Sequence, residues 1–437
     1  MLSGFFVGAE KQMQYAILGG GILGLTAALR LAERGMRVTV FEKETAVGGL
    51  TSGFLVGDVW LERFYHHIFR SDRAITRLID EMGLSDRLAW SRPLTSVLRG
   101  GQAYQLDSPS SLLRFPPLRA HERIRMAAGM AILRYLPSPG ILEGRVAASW
   151  IRRWMGRGPY ELVWQPLLNS KFGPLSEQIA LPWFWGRLHD RSAELGYLRG
   201  GFQLLYARLA DCIRERGGQL RLGTEVTGVV PEPDGRLAVS TATGKEMFDG
   251  VISTLPTRLT CRLTPALPAQ YRARYDWGNA YGAHCLILAL DRRLTESYWI
   301  NINDPGYPFI ALVEHTNYQD LEQYGGRHLV YLGNYRAMND PLFDLSEDSV
   351  RAEFLPYLKR INPRFEPSWV TESWMFKAPY AQPIVTTEYR SHIPPFETPI
   401  PGLYVANMFQ VYPHDRGQNY SVDLAERLVS KIGANRR

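Results

Sequence analysis

Hydrophobic and polar positions near the start of the chain alternate in a way that predicts a strand, a tight turn, a helix and a second strand. Tyr15–Leu18 is a short apolar run, GGGILG follows it, and Leu25–Leu31 is rich in alanine and leucine. A second apolar run, Val38–Phe41, ends at Glu42. Short apolar runs bounded by turn residues favour strands, and the longer run favours a helix. These residues therefore predict one βαβ unit.

Two long stretches farther along the chain have different patterns. In the first, apolar positions recur at helical spacing, at 74–82, 121–136 and 145–155. In the second, continuous apolar runs predict strands, at 285–290, 309–313 and 328–333. With 437 residues, the chain is also longer than one average domain.

We therefore predict an α/β fold with two domains. A Rossmann-like, glutathione-reductase-type nucleotide domain would be discontinuous, comprising 13–57, 195–270 and 390–437. An inserted α+β substrate domain with a helical, arginine-rich cap would comprise 58–194 and 271–389.

The glycines of the first turn match the pattern G-x-G-x-x-G of dinucleotide-binding loops. Gly19 would allow the tight turn, Gly21 would let the backbone approach a diphosphate, and Gly24 would let helix and strand pack closely. The diphosphate would lie on the free amides where Ile22 and Leu23 begin the helix.

An acidic residue follows at the end of the second strand. Glu42 comes 18 residues after Gly24, where its carboxylate would accept hydrogen bonds from ribose hydroxyls. We assign the neighbouring Lys43 to the same binding set. Strand, glycines, helix and acid in register make this a much stronger signal than glycines alone.

A second glycine pair, Gly48-Gly49, resembles the loop that wraps the diphosphate side of FAD in the amine-oxidase superfamily. That superfamily includes amine oxidases, protoporphyrinogen oxidases and phytoene desaturases. The resemblance implies FAD rather than a nicotinamide as cofactor. Members usually carry Arg or Lys after the pair, whereas this chain has Leu50. Thr51 would partly replace the contact that the missing basic residue makes in the family.

The resemblance covers most of the chain. Residues 199–224 resemble the superfamily's glycine-pair segment with its amphipathic helix, and the backbone of Val226 in the next strand would clamp the adenine. Residues 251–256 and 402–428 resemble the strands that return to the nucleotide domain, the second followed by the closing helix.

The closing segment also departs from the family pattern. Members usually have Gly-Asp after the last strand; here the pair is Ala406-Asn407, and Asn407 can form hydrogen bonds but carries no charge. Gln418, Asn419 and Tyr420 stand where the family's helix N-terminus contacts the flavin. Helix capping is the alternative interpretation of these three residues.

Residues 61–69, LERFYHHIF, occupy the point where the family's chain passes the flavin ring, and they also resemble a His-Ile-Phe stretch of UDP-galactopyranose mutases. His66 and His67 are candidates for a general base or a flavin-edge contact, because a histidine pKa near 6.5 suits proton transfer. Consecutive residues of an extended strand point to opposite sides, so we favour His67. A histidine held within the domain interface is the alternative.

Four further side chains are candidates for the active site. Arg63 would hold an anionic substrate group by a bidentate contact, unless it forms a structural ion pair. Tyr412 and His414, in VYPHDR, would lie beside the flavin, unless they only shape the turn around Pro413. Lys377 is a weaker candidate for the lysine–water pair of amine oxidases; an exposed lysine is the alternative.

Composition is that of an ordinary globular protein, with 45% hydrophobic, 21% charged and 12% aromatic residues. Cys212, Cys261 and Cys285 are scattered, which favours a reducing, cytoplasmic location. Some family members carry the flavin on a cysteine near the C-terminus. Because the last cysteine here is Cys285, we expect non-covalent FAD. The nine histidines lack metal-ligand spacing, so no metal is expected.

The longest uncharged run, Gln12–Leu29, follows Lys11 and has some features of a signal peptide. Its glycines interrupt the apolar run, and cleavage would remove the nucleotide motif, so we interpret it as part of the βαβ unit. Residues before Met13 are interpreted as a loose N-terminal extension. We predict no membrane span.

Positive charge is concentrated in residues 114–157, where nine arginines face two acids, an excess that matches the whole chain's net charge of +7. Val146, Trp150 and Trp154 recur there every four residues beside arginines. Such a segment suits peripheral contact with a membrane or a lipid-linked substrate, although a packed helical cap is the alternative. Nucleic-acid binding is not expected, since no binding motif accompanies the charge.

Three hypotheses of function follow. The first is an FAD-dependent oxidoreductase that transfers hydride from a small-molecule substrate to flavin N5, the substrate being an amine, a polyprenoid or a porphyrin-like molecule. The second is a sugar-nucleotide mutase that uses reduced flavin. The third is a non-catalytic, FAD-stabilised binding module at a membrane or in a complex.

Overall fold

The computed structural model describes residues 12–434. Residues 1–11 of the predicted N-terminal extension therefore lie outside the described residues, as do the last three residues of the predicted segment 390–437.

Residues 12–434 form twenty strands and thirteen helices, apart from short 3₁₀ turns and one π-helical turn. The strands are β1 Gln14–Leu18, β2 Arg37–Phe41, β3 Gly53–Val56, β4 Val59–Glu62, β5 Ile68–Phe69, β6 Leu88–Ser91, β7 Thr95–Arg99, β8 Gln102–Gln105, β9 Leu195–Leu198, β10 Gln219–Arg221, β11 Val226–Pro231, β12 Leu237–Thr241, β13 Gly244–Phe248, β14 Gly250–Ser253, β15 Ala280–Leu290, β16 Trp299–Ile302, β17 Ala311–Glu314, β18 His328–Arg336, β19 Val370–Pro383 and β20 Leu403–Val405. The helices are α1 Ile22–Ala32, α2 Arg73–Glu81, α3 Pro109–Leu113, α4 Ala120–Tyr135, α5 Ala147–Trp154, α6 Arg157–Pro159, α7 Gln165–Phe172, α8 Leu181–His189, α9 Gln203–Glu215, α10 Thr257–Leu263, α11 Ala269–Tyr275, α12 Glu347–Ile361 and α13 Gln418–Ala434.

A parallel sheet with the strand order β10-β2-β1-β14-β20 forms the nucleotide-binding part of the fold. Helix α1 connects β1 to β2 and packs against α9 and α13. Ten of its eleven residues are buried because it is covered on several sides, which explains its nearly uniform apolar sequence. The predicted βαβ unit and the Rossmann-like α/β class are confirmed. A small antiparallel sheet, β11-β12-β13, leads from β10 back to β14.

A seven-stranded mixed sheet, β19-β15-β18-β17-β16-β7-β8, forms the second layer. Strand β15, which lies between β19 and β18, has both faces buried, and this explains the continuous apolar run at 285–290. Cys285, Ile287 and Ala289 face the core shared with the nucleotide-binding part. Leu286 and Leu288 face the core beneath α12. The alternation of side chains along one strand thus joins the two layers.

Helices α3 to α8 form a helical cap with its own core around Leu168, Trp183 and Phe184. The predicted helices at 74–82, 121–136 and 145–155 correspond to α2, α4 and α5. The two tryptophans of α5 differ in their exposure to solvent. Trp150 is buried and packs into the cap, whereas Trp154 stacks on it and is 50% exposed.

Candidate active site

The first turn of the chain forms a cradle that only glycine fits. Gly19 has a φ of +107°, a backbone conformation that side chains disfavour. A Cβ on Gly24 would lie 2.0 Å from the carbonyl oxygen of Gly19, so α1 can approach the strand only because Gly24 has no side chain. The amides at the start of α1 lack intrahelical partners and point into this turn, which leaves a site suited to a diphosphate.

The second glycine pair lies directly against the first. The amide of Gly48 donates to the carbonyl of Gly20 at 2.9 Å, and a Cβ on Gly49 would lie 3.2 Å from the Cα of Gly21. Thr51 Oγ1 donates to the Gly48 carbonyl at 2.8 Å, so Thr51 is used to close this loop. Ile22 and Leu23 are buried in the turn, while Leu50 is half-buried beside the pair.

Glu42 is buried at the end of β2, with its carboxylate fixed by two amides. Its Oε2 accepts from Gly20 at 2.7 Å, and its Oε1 accepts from Glu44 at 2.9 Å. A carboxylate has about four acceptor positions, so two remain for ribose hydroxyls. The Lys43 side chain is 62% exposed, and its ammonium pairs with Glu44 at 3.8 Å.

The segment before β11 runs beside Glu42. The amide of Thr224 donates to the Glu42 carbonyl at 2.8 Å. This bond brings Val226, two residues later, to the ribose end of the cradle, where its backbone would meet an adenine. The clamp itself stays a prediction.

Two buried donors border the glycine loop without a protein partner among the described residues. Gln418 Oε1 accepts from the hydroxyl of Tyr206, whose ring packs on Gly48, but Gln418 Nε2 has no partner. Arg63 donates its backbone amide to Ser52 at 3.1 Å, while its side-chain Nε has no partner. Orphaned buried donors of this kind indicate a bound acceptor. Together with the glycine cradle and Glu42, they fit FAD.

The other three residues predicted near the flavin at the C-terminal end have protein partners. Asn407 is buried; its Oδ1 accepts from Phe409 at 3.0 Å, and its Nδ2 donates to Leu255 at 2.9 Å. Asn419 Oδ1 accepts from Ala74 at 2.8 Å, so it caps α2 rather than its own helix. Tyr420 donates its hydroxyl to Asp190 at 2.9 Å. Flavin contact by these residues stays a prediction.

His66 and His67 lie between β4 and β5, where the two layers meet the cap. His66 Nδ1 lies 2.6 Å from the Phe64 carbonyl, which can only accept, so Nδ1 carries the proton and Nε2 is left as an acceptor. His67 Nδ1 lies 3.2 Å from the hydroxyl of Tyr298. Both side chains keep some solvent-accessible surface, as residues lining a cleft do.

Burial changes what these two histidines can do. It lowers the pKa of His66 to about 4, with a further lowering from Arg416, and the pKa of His67 to about 3, with further lowering from Arg191. Both rings are therefore neutral near pH 7. The expectation of a pKa near 6.5 is wrong for both. A neutral ring can position a substrate or accept a hydrogen bond. With so low a pKa, however, it is not suited to act as a general acid or base at neutral pH.

These lowered pKa values predict a loss of stability in acid. The unfolded chain binds a proton on each ring near pH 6.5, whereas the folded chain does so only near pH 4 and pH 3. The free energy of unfolding therefore falls with decreasing pH below 6.5, by about 1.4 kcal/mol per pH unit for each ring. The melting temperature of the holoenzyme, measured from pH 7 to pH 4, should fall less steeply for His67→Gln than for the unsubstituted protein. An exposed control, His121→Gln, should follow the unsubstituted curve; identical curves for all three would contradict the assignment.

The remaining candidates lie at the edge of the site or outside it. Tyr412 donates its hydroxyl to Glu143 at 2.8 Å, and His414 Nδ1 bonds Asp190, so both tie the segment before α13 to the helical cap. Lys377 is exposed and donates to two backbone carbonyls, on the face of β19 opposite Phe376. The guanidinium of Arg63 lies on the Phe376 side of β19, 5.6 Å from the Phe376 ring.

Sequence reasoning missed a cluster of four cations around one carboxylate, which we call the cationic cluster. Its members come from α7, α8, the turn after α8 and the segment before α13: Lys171, Arg187, Arg191, Asp415 and Arg416. The nearby cations hold the pKa of Asp415 well below its usual range despite its burial. No local pattern indicates the cluster, because its residues lie up to 245 positions apart.

Comparison with known proteins gives a family for most of the chain. Residues 23–414 match the family model described as flavin containing amine oxidoreductase. The chain is 30% identical over 257 residues to 15-cis-phytoene desaturase of Narcissus pseudonarcissus, covering 52% of this chain and 44% of that protein. It is 33% identical over 179 residues to mitochondrial protoporphyrinogen oxidase of Nicotiana tabacum, covering 39% of this chain and 35% of that protein. The chain thus spans less than half the length of these curated relatives.

Solved structures share the fold over nearly the whole chain. An oxidoreductase from Methanosarcina mazei has a TM-score of 0.76 at 19% identity, covering 96% of this chain and all of that chain. A reduced UDP-galactopyranose mutase has a TM-score of 0.77 at 14% identity, covering 97% of this chain and 96% of that chain. At these identities the likeness concerns the fold alone.

Proposed function

The chain belongs to the flavin-containing amine oxidoreductase family, and from this membership we propose that it is an FAD-dependent oxidoreductase that removes hydride from a C–H bond of a small-molecule substrate. The observation that carries the proposal is the double glycine cradle, in which Gly24 packs on Gly19 and Gly49 on Gly21 beside the buried Glu42. FAD, when bound, supplies the hydride acceptor.

The chain's own residues would bind the cofactor, orient the substrate and shield both from water. Gly19 to Gly24 and Glu42 would hold the diphosphate and ribose, and Gln418 and Arg63 would donate to the cofactor or the substrate. His66 and His67 would position the substrate as neutral rings, in keeping with a hydride transfer that needs no obligatory acid. The cap and the seven-stranded sheet would exclude water from the cleft between them.

The mutase alternative is not favoured. The likeness to UDP-galactopyranose mutase is one of fold at 14% identity, whereas the family model covering residues 23–414 is one of oxidoreductases. A mutase would act only after reduction of the flavin and would show no net redox change.

Absorption spectra of the purified protein test the proposal. We expect a flavin band that dithionite bleaches and that one class among amines, polyprenoids and porphyrinogens bleaches without oxygen. A UDP-sugar should leave the oxidised and the reduced spectra unchanged. The proposal would fail if no flavin band formed even after incubation with FAD, or if none of the three classes bleached the band and a UDP-sugar perturbed only the reduced form.

We further propose that the FAD is held without a covalent bond. All three cysteines are buried, and the last of them, Cys285, lies in β15 with its pKa raised by burial. A protonated, buried thiol is a poor nucleophile for flavin attachment. Acid precipitation should leave the flavin in the supernatant; flavin in the pellet would contradict this.

We also propose that the outer surface of the helical cap docks on an anionic membrane. Six of the nine large apolar side chains exposed in the described residues lie between positions 113 and 154. Ile124, Ile132 and Tyr135 share one face of α4 and are 63%, 51% and 79% exposed. Nearby, Arg125 and Arg134 donate to backbone carbonyls, so these bonds leave their charges uncompensated.

An apolar helix face with arginines beside it matches an interfacial membrane surface, with each cation near anionic lipid contributing about 1 kcal/mol. Among residues 12–434, no helix is long and apolar enough to cross a bilayer. The contact that we propose is a peripheral one.

Vesicle flotation tests this contact. The protein should float with vesicles containing phosphatidylglycerol, and far less with phosphatidylcholine alone or at high salt. Replacing Ile124, Ile132 and Tyr135 by serine should abolish flotation. The matched control replaces apolar side chains exposed elsewhere, Leu55, Val230 and Met338, and should float normally. Equal flotation of the two triple variants would contradict the assignment of the face.

A further inference from the structure

The cationic cluster carries more positive charge than its own residues neutralise. Asp415 Oδ2 lies 2.9 Å from Lys171 Nζ, 3.6 Å from Arg187 Nη1 and 3.9 Å from Arg191 Nη2, and Asp415 Oδ1 lies 3.8 Å from Arg416 Nη1. Within ion-pair distance, no other carboxylate of the described residues contacts these four cations. Within that distance, one carboxylate therefore faces three guanidinium groups and the Lys171 amine, whose pKa burial lowers to about 7.

The cluster lies where the cap, the seven-stranded sheet and the histidine segment meet. Arg416 also donates to Gln382 of β19 and, at 2.7 Å, to the Tyr335 hydroxyl of β18. Arg187 and Arg191 lie near enough to His67 to lower its pKa. All three parts of the substrate side of the fold thus meet at these cations.

The side chains of the cluster differ in the fraction of their surface that is exposed to solvent. The Arg191 side chain is 40% exposed, those of Arg416 and Arg187 are 22% and 13%, and that of Lys171 is 12%. Arg191 thus lies on the solvent side, and Lys171 is the most enclosed. Two more carboxylates lie nearby but beyond ion-pair distance: Asp72, which accepts from the Phe69 amide and lies near enough to Arg191 to oppose the lowering of its pKa by burial, and Asp190, which accepts from His414 and Tyr420.

Several like charges held together in a poorly solvated place are unfavourable unless an anion joins them. The cofactor's diphosphate has its own cradle at the start of α1, formed by backbone amides. The members of the cluster come instead mainly from the cap, on the substrate side. Three guanidinium groups in one cleft offer the paired donors that carboxylates and phosphates bind.

We propose that Lys171, Arg187, Arg191 and Arg416 form the subsite for an anionic group, a carboxylate or a phosphate, of the substrate. This inference rests on the proposed function, because it assigns the cluster to the substrate side of the same active-site cleft. Asp415 holds the four cations in place when the anion is absent.

The test uses the FAD-saturated holoenzyme, so that the diphosphate cradle is occupied. Thermal unfolding is followed with inorganic pyrophosphate and, separately, with succinate, each against sodium chloride at equal ionic strength. We expect at least one of the two anions to raise the melting temperature. A larger rise with pyrophosphate identifies a phosphate subsite, and a larger rise with succinate identifies a carboxylate subsite.

Arg191→Gln, at the exposed end, should weaken the binding of that anion by about tenfold or more. Arg157→Gln, whose side chain is 86% exposed on the cap, should respond like the unsubstituted protein. If Arg191→Gln does not fold, Lys171→Met takes its place, and we expect the same weakening of anion binding.

The inference is overturned if neither anion raises the melting temperature above the chloride control, or if the cluster variant responds like the unsubstituted protein. It is also overturned if the cluster variant loses its flavin band, since the cations would then serve the cofactor. Failure of the proposed function is a separate result: it would appear in the unsubstituted protein, as a missing flavin band, or as no bleaching by substrate together with a UDP-sugar effect on the reduced form alone.

Discussion

Replacing Gly24 by alanine is expected to give a protein that purifies without FAD. The new Cβ would lie 2.0 Å from the Gly19 carbonyl oxygen and 3.3 Å from Ile17 Cγ2. The first of these is a backbone atom, so no side-chain rotation relieves the clash, and α1 must move away from the turn. The cradle for the diphosphate depends on that close approach. The ratio of flavin to protein absorbance in the purified variant measures the effect.

A matched control separates this effect from general damage. Gly140 lies on the cap surface, where an added Cβ would meet only Ser138 Oγ, at 3.7 Å. Gly140→Ala should keep a full complement of FAD and an unchanged melting temperature. Overpacking of this kind costs about 1–3 kcal/mol or more, so Gly24→Ala should also melt earlier. A Gly24→Ala protein that retains FAD as Gly140→Ala does would show that the cradle is not the binding site.

The nucleotide-binding part could be predicted from the sequence because its signals are local. Gly19, Gly21, Gly24 and Glu42 lie within 24 consecutive residues, and each has a steric or electrostatic reason to stand where it does. Three of the seven strands of the second layer, β15, β17 and β18, could be predicted as well, because buried strands such as β15 contain an unbroken apolar run, here at 285–290.

The electrostatics of the cleft could not be predicted in the same way. The pKa of His67 depends on burial and on Arg191, which is 124 positions away in the sequence. The VYPHDR segment drew attention to Tyr412 and His414, but Asp415 and Arg416 are the residues that turn towards the other cations. The spacing of apolar positions also could not predict that Trp150 packs inward while the apolar face of α4 stays exposed. Such properties arise only when distant segments are packed together.

The second large effect is expected from Asp415→Asn, which would leave four cations without their shared carboxylate. Asp415 is ionised at neutral pH, because the nearby cations hold its pKa well below the unfolded value of 3.8. Its charge therefore contributes stability above about pH 4, and that stability is lost as the pH falls further. Asparagine removes this contribution at every pH.

Breaking a buried ion pair from one side costs about 3–5 kcal/mol, so the melting temperature should fall by about 3–5 °C for a chain of this length. Asp423→Asn provides the matched control on α13, since Asp423 is 53% exposed and pairs only loosely, at 3.5 Å, with Arg427. Exposed pairs contribute about 0–1 kcal/mol, so the control should melt almost normally.

Removing a cation together with the carboxylate should undo part of the damage. Lys171 lies nearest to Asp415, at 2.9 Å, and burial already lowers its pKa to about 7. Without Asp415 this buried amine loses its nearest hydrogen-bond acceptor. In the double variant Asp415→Asn, Lys171→Met, no such amine is left, so the melting temperature should recover partway towards that of the unsubstituted protein. Additive losses in the double variant would mean that Asp415 and Lys171 do not stabilise each other. Recovery would show that the pairing with Asp415 is what lets the fold accommodate the buried Lys171.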